Sequence, residues 1–308
     1  MQARCFGKLG MTFFLPEPLQ TPPVGRLAPT PSGYLHLGNA VNFVLTWLLV
    51  RQGGGQLHLR IDDLDRARLR RLYLDDIFQV IDWLKIDYDY GPNGPADFLR
   101  HYSQLLHLPA YNAVLRRLRQ QPGLLAASHR TRTTEAAEAA EATVPFDTPG
   151  VAWRARVPTG ATITWVDGWQ NAASVPLGQL LPDFVVRKKD AVAAYQLASV
   201  VDDLRLGTTL IVRGLDLLPS TAAQLWLAAQ LSETQSFNAG RIRFFHHQLL
   251  TDAAGHKLSK RTQAGASQGV LALPGGPRGV YEVVARLLGL APAAGESLAT
   301  LRQAVAGG

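Results

Sequence analysis

The sequence predicts an α/β fold: a parallel sheet with an inserted α+β subdomain and a small helical C-terminal part. Three observations carry that prediction. A strand, a helix and a second strand follow one another between Val24 and Asp62. Such a βαβ unit places its two strands parallel. The alternation of strands and helices returns from Asp183 to about residue 250. Between the two halves, residues 122–180 change to short strands and an Ala-, Glu- and Thr-rich tract from Thr133 to Thr143.

In order along the chain, Val24 to Ala28 reads as a short strand, and Pro29, Pro31 and Gly33 mark a loop. Leu35 to Arg51 is a helix apolar on most faces (Val41, Phe43, Val44, Leu45, Trp47, Leu48, Leu49), so it is buried. Gly53, Gly54 and Gly55 stop it, as glycine does past a helix end. Gln56 to Asp62 is the second strand, with its functional end at Asp62. Helices are predicted over 73–87 and 101–121, and strands at 151–157 and 161–166 in the insertion. Then come a strand Asp183–Arg187, a helix Tyr195–Leu206, a strand Thr209–Arg213, a helix over 219–231 and a strand over 242–250. Small helices at about 278–290 and 297–305 close the chain. The divisions expected are an N-terminal extension 1–23, a first half-domain 24–121, the insertion 122–180, a second half-domain 181–265 and a tail 266–308.

The chain has 308 residues, 47% of them hydrophobic, enough for one large core or two. A net charge of +7 favours a polyanionic partner such as nucleic acid. Arginines and lysines cluster at 66–71, 116–119, 130–132 and 187–189, where a solvated helix face is an equally good account of any one cluster. The single cysteine, Cys5, excludes a disulfide within the chain and suits a reducing cytoplasm. No apolar run approaches the roughly 18 residues of a membrane span, so no membrane association is expected. The apolar run Met11 to Leu15 is too short and too quickly interrupted for a signal peptide.

Two signatures carry chemistry. Pro29-Thr-Pro-Ser-Gly-Tyr-Leu-His-Leu-Gly-Asn39 runs from a loop into a helix, with His36 and Gly38 in its opening turn. A helix N-terminus offers unpaired N–H groups and a positive dipole end, a natural seat for a triphosphate. Gly38 lets a nucleotide approach the backbone, because it has no Cβ. About 220 residues later, Lys257-Leu-Ser-Lys-Arg261 can place ammonium groups on phosphates. Candidate ATP-binding residues are therefore His36, Gly38, Asn39, Lys257, Ser259 and Lys260, with His36, Lys257 and Lys260 as the catalytic set.

Together these signatures resemble those of the class I aminoacyl-tRNA synthetases. Gly25-Arg-Leu-Ala-Pro-Thr-Pro-Ser-Gly33 and Arg60-Ile-Asp-Asp-Leu-Asp65 are similar to blocks of the glutamyl/glutaminyl subclass. So are Asp183 to Asp190, Ala194 to Asp203 and Ile211 to Asp216. The resemblance covers roughly residues 24–265 and implies a Rossmann-like catalytic domain. It implies a glutamate pocket of Arg26, Ala28, Thr30, Asp62, Tyr195 and Arg213. Arg26 would hold a carboxylate, Asp62 would meet the ammonium, and Tyr195 and Arg213 would complete the pocket. Two departures stand out: Asn39 replaces a second histidine, and Asp62 replaces a glutamate.

Only 47 residues follow Arg261, so no anticodon-binding domain is expected. That resembles the short branch of the subclass, whose members activate glutamate with ATP and pass it to the queuosine base at the wobble position of tRNA(Asp). The implied partners are glutamate, ATP with Mg²⁺ as the substrate complex, and the anticodon stem-loop of tRNA(Asp), bound by a cytoplasmic monomer. The alternatives are a short enzyme charging the tRNA 3′ end, a non-catalytic tRNA-binding paralogue, a small nucleotidyltransferase, and a ligase acting on a carrier protein. Some relatives of this type hold zinc in the insertion through cysteines. The corresponding stretch, Ala126 to Arg132, has none, and His129 alone cannot hold the ion, so no zinc is expected.

Overall fold

The computed structural model describes residues 21–129, 143–250 and 269–306. Its first half contains β1 (Val24–Leu27), α1 (Leu37–Gln52), β2 (Gln56–Leu59), α2 (Arg71–Trp83), α3 (Pro95–Asp97) and α4 (Leu108–Arg119). Four strands and a short helix follow: β3 (Leu125–Ser128), β4 (Ala152–Arg156), β5 (Ile163–Asp167), β6 (Asn171–Val175) and α5 (Leu177–Leu180). The remainder is β7 (Asp183–Arg187), α6 (Tyr195–Arg205), β8 (Leu210–Gly214), α7 (Leu218–Ala228), β9 (Arg243–His247), α8 (Arg278–Leu287) and α9 (Leu298–Ala306).

The larger sheet has the order β2-β1-β8-β9-β5-β6. All its pairings are parallel except the β5–β6 hairpin. Its central strands are short and apolar because both faces are covered, whereas β5 and β6 alternate and leave one face exposed. Along β8, Leu210 and Val212 face one core and Ile211 the other. Along β9, Phe245 and Phe244 divide in the same way, as the two-residue period of a strand requires. The first core is built around α1, whose residues Ala40, Val41 and Phe43 to Val50 are all buried. Helices α8 and α9 pack on the outer side of α1, which explains a helix with almost no polar face. Gly25 lets α1 lie directly on β1, since a Cβ there would sit 2.4 Å from Val50 Cγ2.

The smaller sheet is antiparallel, in the order β3-β4-β7. Strand β7 therefore pairs with β4 of the insertion, while β5 joins the larger sheet beside β9. Strands alternate between the sheets, so the sequence boundary at 180/181 does not separate them. Strands β3 and β6 carry no clear apolar alternation in sequence. Each is recruited by its partner, β4 or β5.

The helix predicted over 101–121 is broken. A single π-type turn, Phe98–Tyr102, and a 3₁₀ turn, Gln104–His107, precede α4. Ser103 leaves helical geometry at ψ 138° and its hydroxyl donates to Asp63 Oδ2 at 2.6 Å. The predicted 73–87 helix ends at Trp83, with Lys85 at a φ of +53°. Strand β2 ends at Leu59, but the N–H groups of Arg60 and Asp62 continue along β1 to the carbonyls of Leu27 and Pro29.

Candidate active site

From the β1–β8 junction, β2 lies to one side and β9 to the other. That reversal is a topological switch point, where open parallel sheets hold ligands beyond the carboxyl ends of their strands. A cavity of about 280 Å³ lies there, walled by the ends of β1, β2, β8 and β9 and the first turns of α1 and α6. A second cavity, about 440 Å³, adjoins it toward the smaller sheet, lined by Gln104, Arg154, Lys188 and Ser199 among others. Asp62 and Tyr195 belong to both linings and form the wall between them.

At one end of the first cavity, His36 caps α1. Its Nδ1 accepts the Gly38 N–H at 3.1 Å, and its own N–H donates to Asn39 Oδ1 at 3.1 Å. This reciprocal capping box explains Asn39, which acts as an acceptor for the loop. Because Nδ1 accepts, the proton of the neutral ring sits on Nε2. A Cβ on Gly38 would approach the His36 ring to 3.0 Å, so glycine lets the ring lie over the helix end. The loop is held on both sides: Leu35 N–H donates to Asp76 Oδ2 at 2.8 Å, and Leu35 C=O accepts from Val270 N–H.

At the other end, three arginines gather on buried carboxylates. Arg26 Nε and Arg60 Nη1 both donate to Asp203 Oδ1, at 2.9 and 2.7 Å. Arg60 also grips Asp62 with two bonds, 2.7 and 3.1 Å. Arg213 Nη1 donates to Thr221 Oγ1 at 3.1 Å, and its Nη2 is buried without a partner among the described residues. Burial alone would raise the Asp203 pKa, but the guanidinium groups of Arg26, Arg60 and Arg213 hold it below the usual carboxylate range. Burial works against the charge of Arg60, yet Asp62, Asp203 and Asp202 keep it firmly protonated. Asp202 itself points away, accepting from Tyr111 and Gln104.

The structure brings Arg26, Ala28, His36, Gly38, Asn39, Asp62, Tyr195 and Arg213 to the first cavity. Thr30 lines the second. Lys257, Ser259 and Lys260 lie outside the described residues. Sequence reasoning gave no role to Arg60, Asp203 or His247, although the first two stood in the quoted blocks. The signal was an Asp202-Asp203 pair in an otherwise apolar helix stretch, where buried acids demand buried cations. His247 lines the first cavity, and its Nδ1 donates to the Gln248 carbonyl at 2.8 Å. Burial pushes its pKa down, so the ring is neutral, and Nε2 is an acceptor with no partner among the described residues. Several clustered surface cations carry acidic partners, among them Arg66 with Asp63, Arg117 with Glu233 and Arg119 with Asp147. Among the described residues, no group of three or more His, Cys, Asp or Glu is placed to hold a metal, and no helix is long and apolar enough to cross a membrane.

Known proteins resemble the chain over most of its length. The chain is 37% identical over 257 residues to a glutamyl-Q tRNA(Asp) synthetase of Burkholderia cenocepacia, covering 79% of this chain and 81% of that one. It is 38% identical over 266 residues to one from Nitratidesulfovibrio vulgaris, covering 78% of each. A glutamate–tRNA ligase of Xanthomonas euvesicatoria is 33% identical, covering 78% of this chain and 51% of that one. Among solved structures, a glutamate tRNA ligase of Elizabethkingia meningosepticum shares the fold, with a TM-score of 0.63 at 23% identity over 78% of this chain and 52% of that one. Residues 24–306 match the family model described as tRNA synthetases class I (E and Q), catalytic domain. The chain therefore belongs to the class I tRNA synthetases of the E and Q type, and is a ligase of that class.

Proposed function

We propose that this ligase activates glutamate with ATP, as glutamyl-adenylate, and transfers the glutamyl group to the queuosine base at the wobble position of tRNA(Asp). The observation that carries the first half is the arginine cluster. Arg26 and Arg60 converge on Asp203, Arg60 also holds Asp62, and Arg213 Nη2, buried at the same cavity without a partner among the described residues, is left for a ligand to satisfy. Burying a donor without a partner costs about 1–3 kcal/mol, which a bound carboxylate would remove. Glutamate offers two carboxylates, and the cluster shares a cavity with the His36-capped end of α1.

In this reading, an oxygen of the glutamate α-carboxylate attacks the α-phosphorus of ATP, which enters with Mg²⁺ as its substrate complex. The bond to the β-phosphate breaks and pyrophosphate leaves. Two anions must meet in line, so the protein neutralises and orients them. The α1 N-terminus and His36 Nε2–H face the phosphates, with Lys257 and Lys260 adding positive charge. Asp62 receives the ammonium while Arg60 holds its carboxylate in place. In the second step an acceptor hydroxyl attacks the activated carbonyl and AMP leaves. The adjoining cavity, lined by Arg154, Lys188 and Lys189 together with Asp62 and Asp65, has room for an acceptor nucleoside beside the adenylate. Queuosine as acceptor rests on the two Q-type relatives and their high coverage.

The test is glutamate-dependent ATP–pyrophosphate exchange without tRNA, with aspartate and glutamine as controls. Labelled glutamate is then offered to a queuosine-containing anticodon stem-loop and to full-length tRNA lacking queuosine. Exchange with glutamate and transfer to the stem-loop are expected. Transfer only to the full-length tRNA would establish 3′-end charging instead, and no exchange under any condition would remove the catalytic reading.

A further inference from the structure

Arg213 is the cavity end of a buried chain of hydrogen bonds that begins two strands away, at the end of β5. Asp167 closes β5. Its Oδ1 accepts the backbone N–H groups of Trp169, Gln170 and His246, at 3.1, 3.1 and 3.2 Å. Its Oδ2 lies 2.5 Å from His246 Nδ1 on β9 and also accepts from Trp165 Nε1. His246 Nε2 lies 2.9 Å from Thr221 Oγ1 on α7, and Thr221 Oγ1 accepts from Arg213 Nη1 on β8. Asp167, His246, Thr221 and Arg213 are 1, 0, 0 and 4% exposed.

The proton positions follow from the ends. A guanidinium only donates, so the Thr221 oxygen accepts from Arg213. Burial opposes the Asp167 charge, but the His246 hydrogen bond and backbone N–H donors hold its pKa below the usual carboxylate range, so it accepts the His246 Nδ1–H. With the one ring proton on Nδ1, His246 Nε2 is an acceptor and the Thr221 hydroxyl hydrogen points to it. The hydroxyl hydrogen is thereby turned away from Arg213, and the oxygen is presented to the guanidinium in one orientation. Neighbouring Phe244 and Phe245 show that β9 packs well with apolar side chains, so packing alone does not call for an imidazole here. Burying three polar side chains in a row is a cost that an apolar core would avoid.

We propose that Asp167, His246 and Thr221 form a positioning relay that holds the Arg213 guanidinium at the angle at which it receives a carboxylate of the amino-acid substrate. The relay rests on the reading of Arg213 as a glutamate-binding residue. These are positioning residues, since none of the three is among those lining the cavity. They act on amino-acid binding and leave ATP binding to the His36 end.

The experiment measures glutamate and ATP KM separately in pyrophosphate exchange, with melting temperature as a control. Thr221→Val keeps the shape and removes only the hydroxyl. It is expected to raise the glutamate KM about tenfold, roughly 1.4 kcal/mol, with ATP KM and kcat within about twofold. Thr221→Ser should recover most of that loss. His246→Gln can still reach Thr221, whereas His246→Asn reaches only Asp167, so Asn should raise the glutamate KM more than Gln. Nitrogen NMR of labelled histidine should show His246 protonated on Nδ1, with a far-downfield proton that Asp167→Asn removes. Arg213→Ala separates the two claims. If it leaves the glutamate KM unchanged, the glutamate assignment of Arg213 falls. If it raises KM while Thr221→Val does not, the relay alone is overturned. Equal losses for glutamate and ATP in Thr221→Val, or equal losses in the two His246 variants, would also overturn it.

Discussion

Arg26 Nε donates to Asp203 Oδ1 at 2.9 Å, joining the first strand of the sheet to a helix 177 positions further along the chain. The same oxygen accepts from Arg60, so one carboxylate neutralises two buried guanidinium groups. Asp203→Ala would leave both without it. Breaking a buried pair from one side costs about 3–5 kcal/mol, and a loss of that size is expected in urea denaturation. Glutamate-dependent exchange should fall with it. A change below about 1 kcal/mol would show that water replaces the carboxylate at little cost.

Asn39 separates capping from charge. Asn39→Ala removes the acceptor for the His36 N–H and should cost about 1 kcal/mol of stability, the size of a lost cap. Asn39→Asp keeps an acceptor there but sets a negative charge at the proposed triphosphate seat. Its stability should match wild type while the ATP KM rises. If both variants leave the ATP KM unchanged, the phosphates lie elsewhere.

Close approach of β1 and α1 predicts a suppressor pair. Gly25→Ala places a methyl 2.4 Å from Val50 Cγ2, and overpacking of this kind costs about 1–3 kcal/mol. Val50→Ala empties the same space. The double variant should therefore be less destabilised than the sum of the two single changes. Simple additivity in thermal unfolding would mean that the strand and helix yield independently.

Acid should weaken the fold in two stages. Burial pushes His58 and His247 below their ordinary value of 6.5, with Asp89 opposing the shift at His58. Between the folded and unfolded values the unfolded chain holds more protons, so stability rises with pH. The contribution of these rings is complete above about 6.5 and is lost as pH falls below it, by at most about 1.4 kcal/mol per pH unit for each. Asp167 and Asp203 are depressed carboxylates, so theirs is present above about 3.9 and is lost as pH falls further through their folded values. A melting temperature flat between pH 7 and 5 would contradict neutral buried rings.

Lys260 lies outside the described residues, so its test is purely functional. Lys260→Ala is expected to reduce adenylate formation to near background while the melting temperature is unchanged. Retained exchange would remove the Lys257–Lys260 segment from the phosphate site.

Period and punctuation made most of the fold legible. The apolar helix after Pro31, the glycines that end it, and the returning strand–helix rhythm after Asp183 all reappear as α1, β7, α6 and β8. What escaped depended on partners far away in sequence. Residues 101–107 carry a helical pattern, but Ser103 is drawn aside by Asp63, forty positions earlier. The candidate site was legible where motif residues converge on one cavity, as at His36 and Arg213. It was illegible where side chains hold one another, because nothing in a linear pattern pairs Arg60 with Asp203 or Thr221 with His246. Asp62 shows the difference most clearly: the sequence shows only a shorter acid in place of a glutamate, whereas the structure shows both its oxygens held by Arg60.

The way the chain shuttles between sheets has a practical corollary for protein engineering. Residues 122–180 cannot be lifted out as a cassette. Their removal would take β5 and β6 from the larger sheet and leave β9, now inside it, as a raw parallel edge with unpaired N–H and C=O groups. Asp167 would leave with them. Grafting this region between relatives therefore exchanges part of the catalytic scaffold along with the insertion, whereas a graft that ends within the 143–150 segment, before β4, leaves β5 and β6 in place.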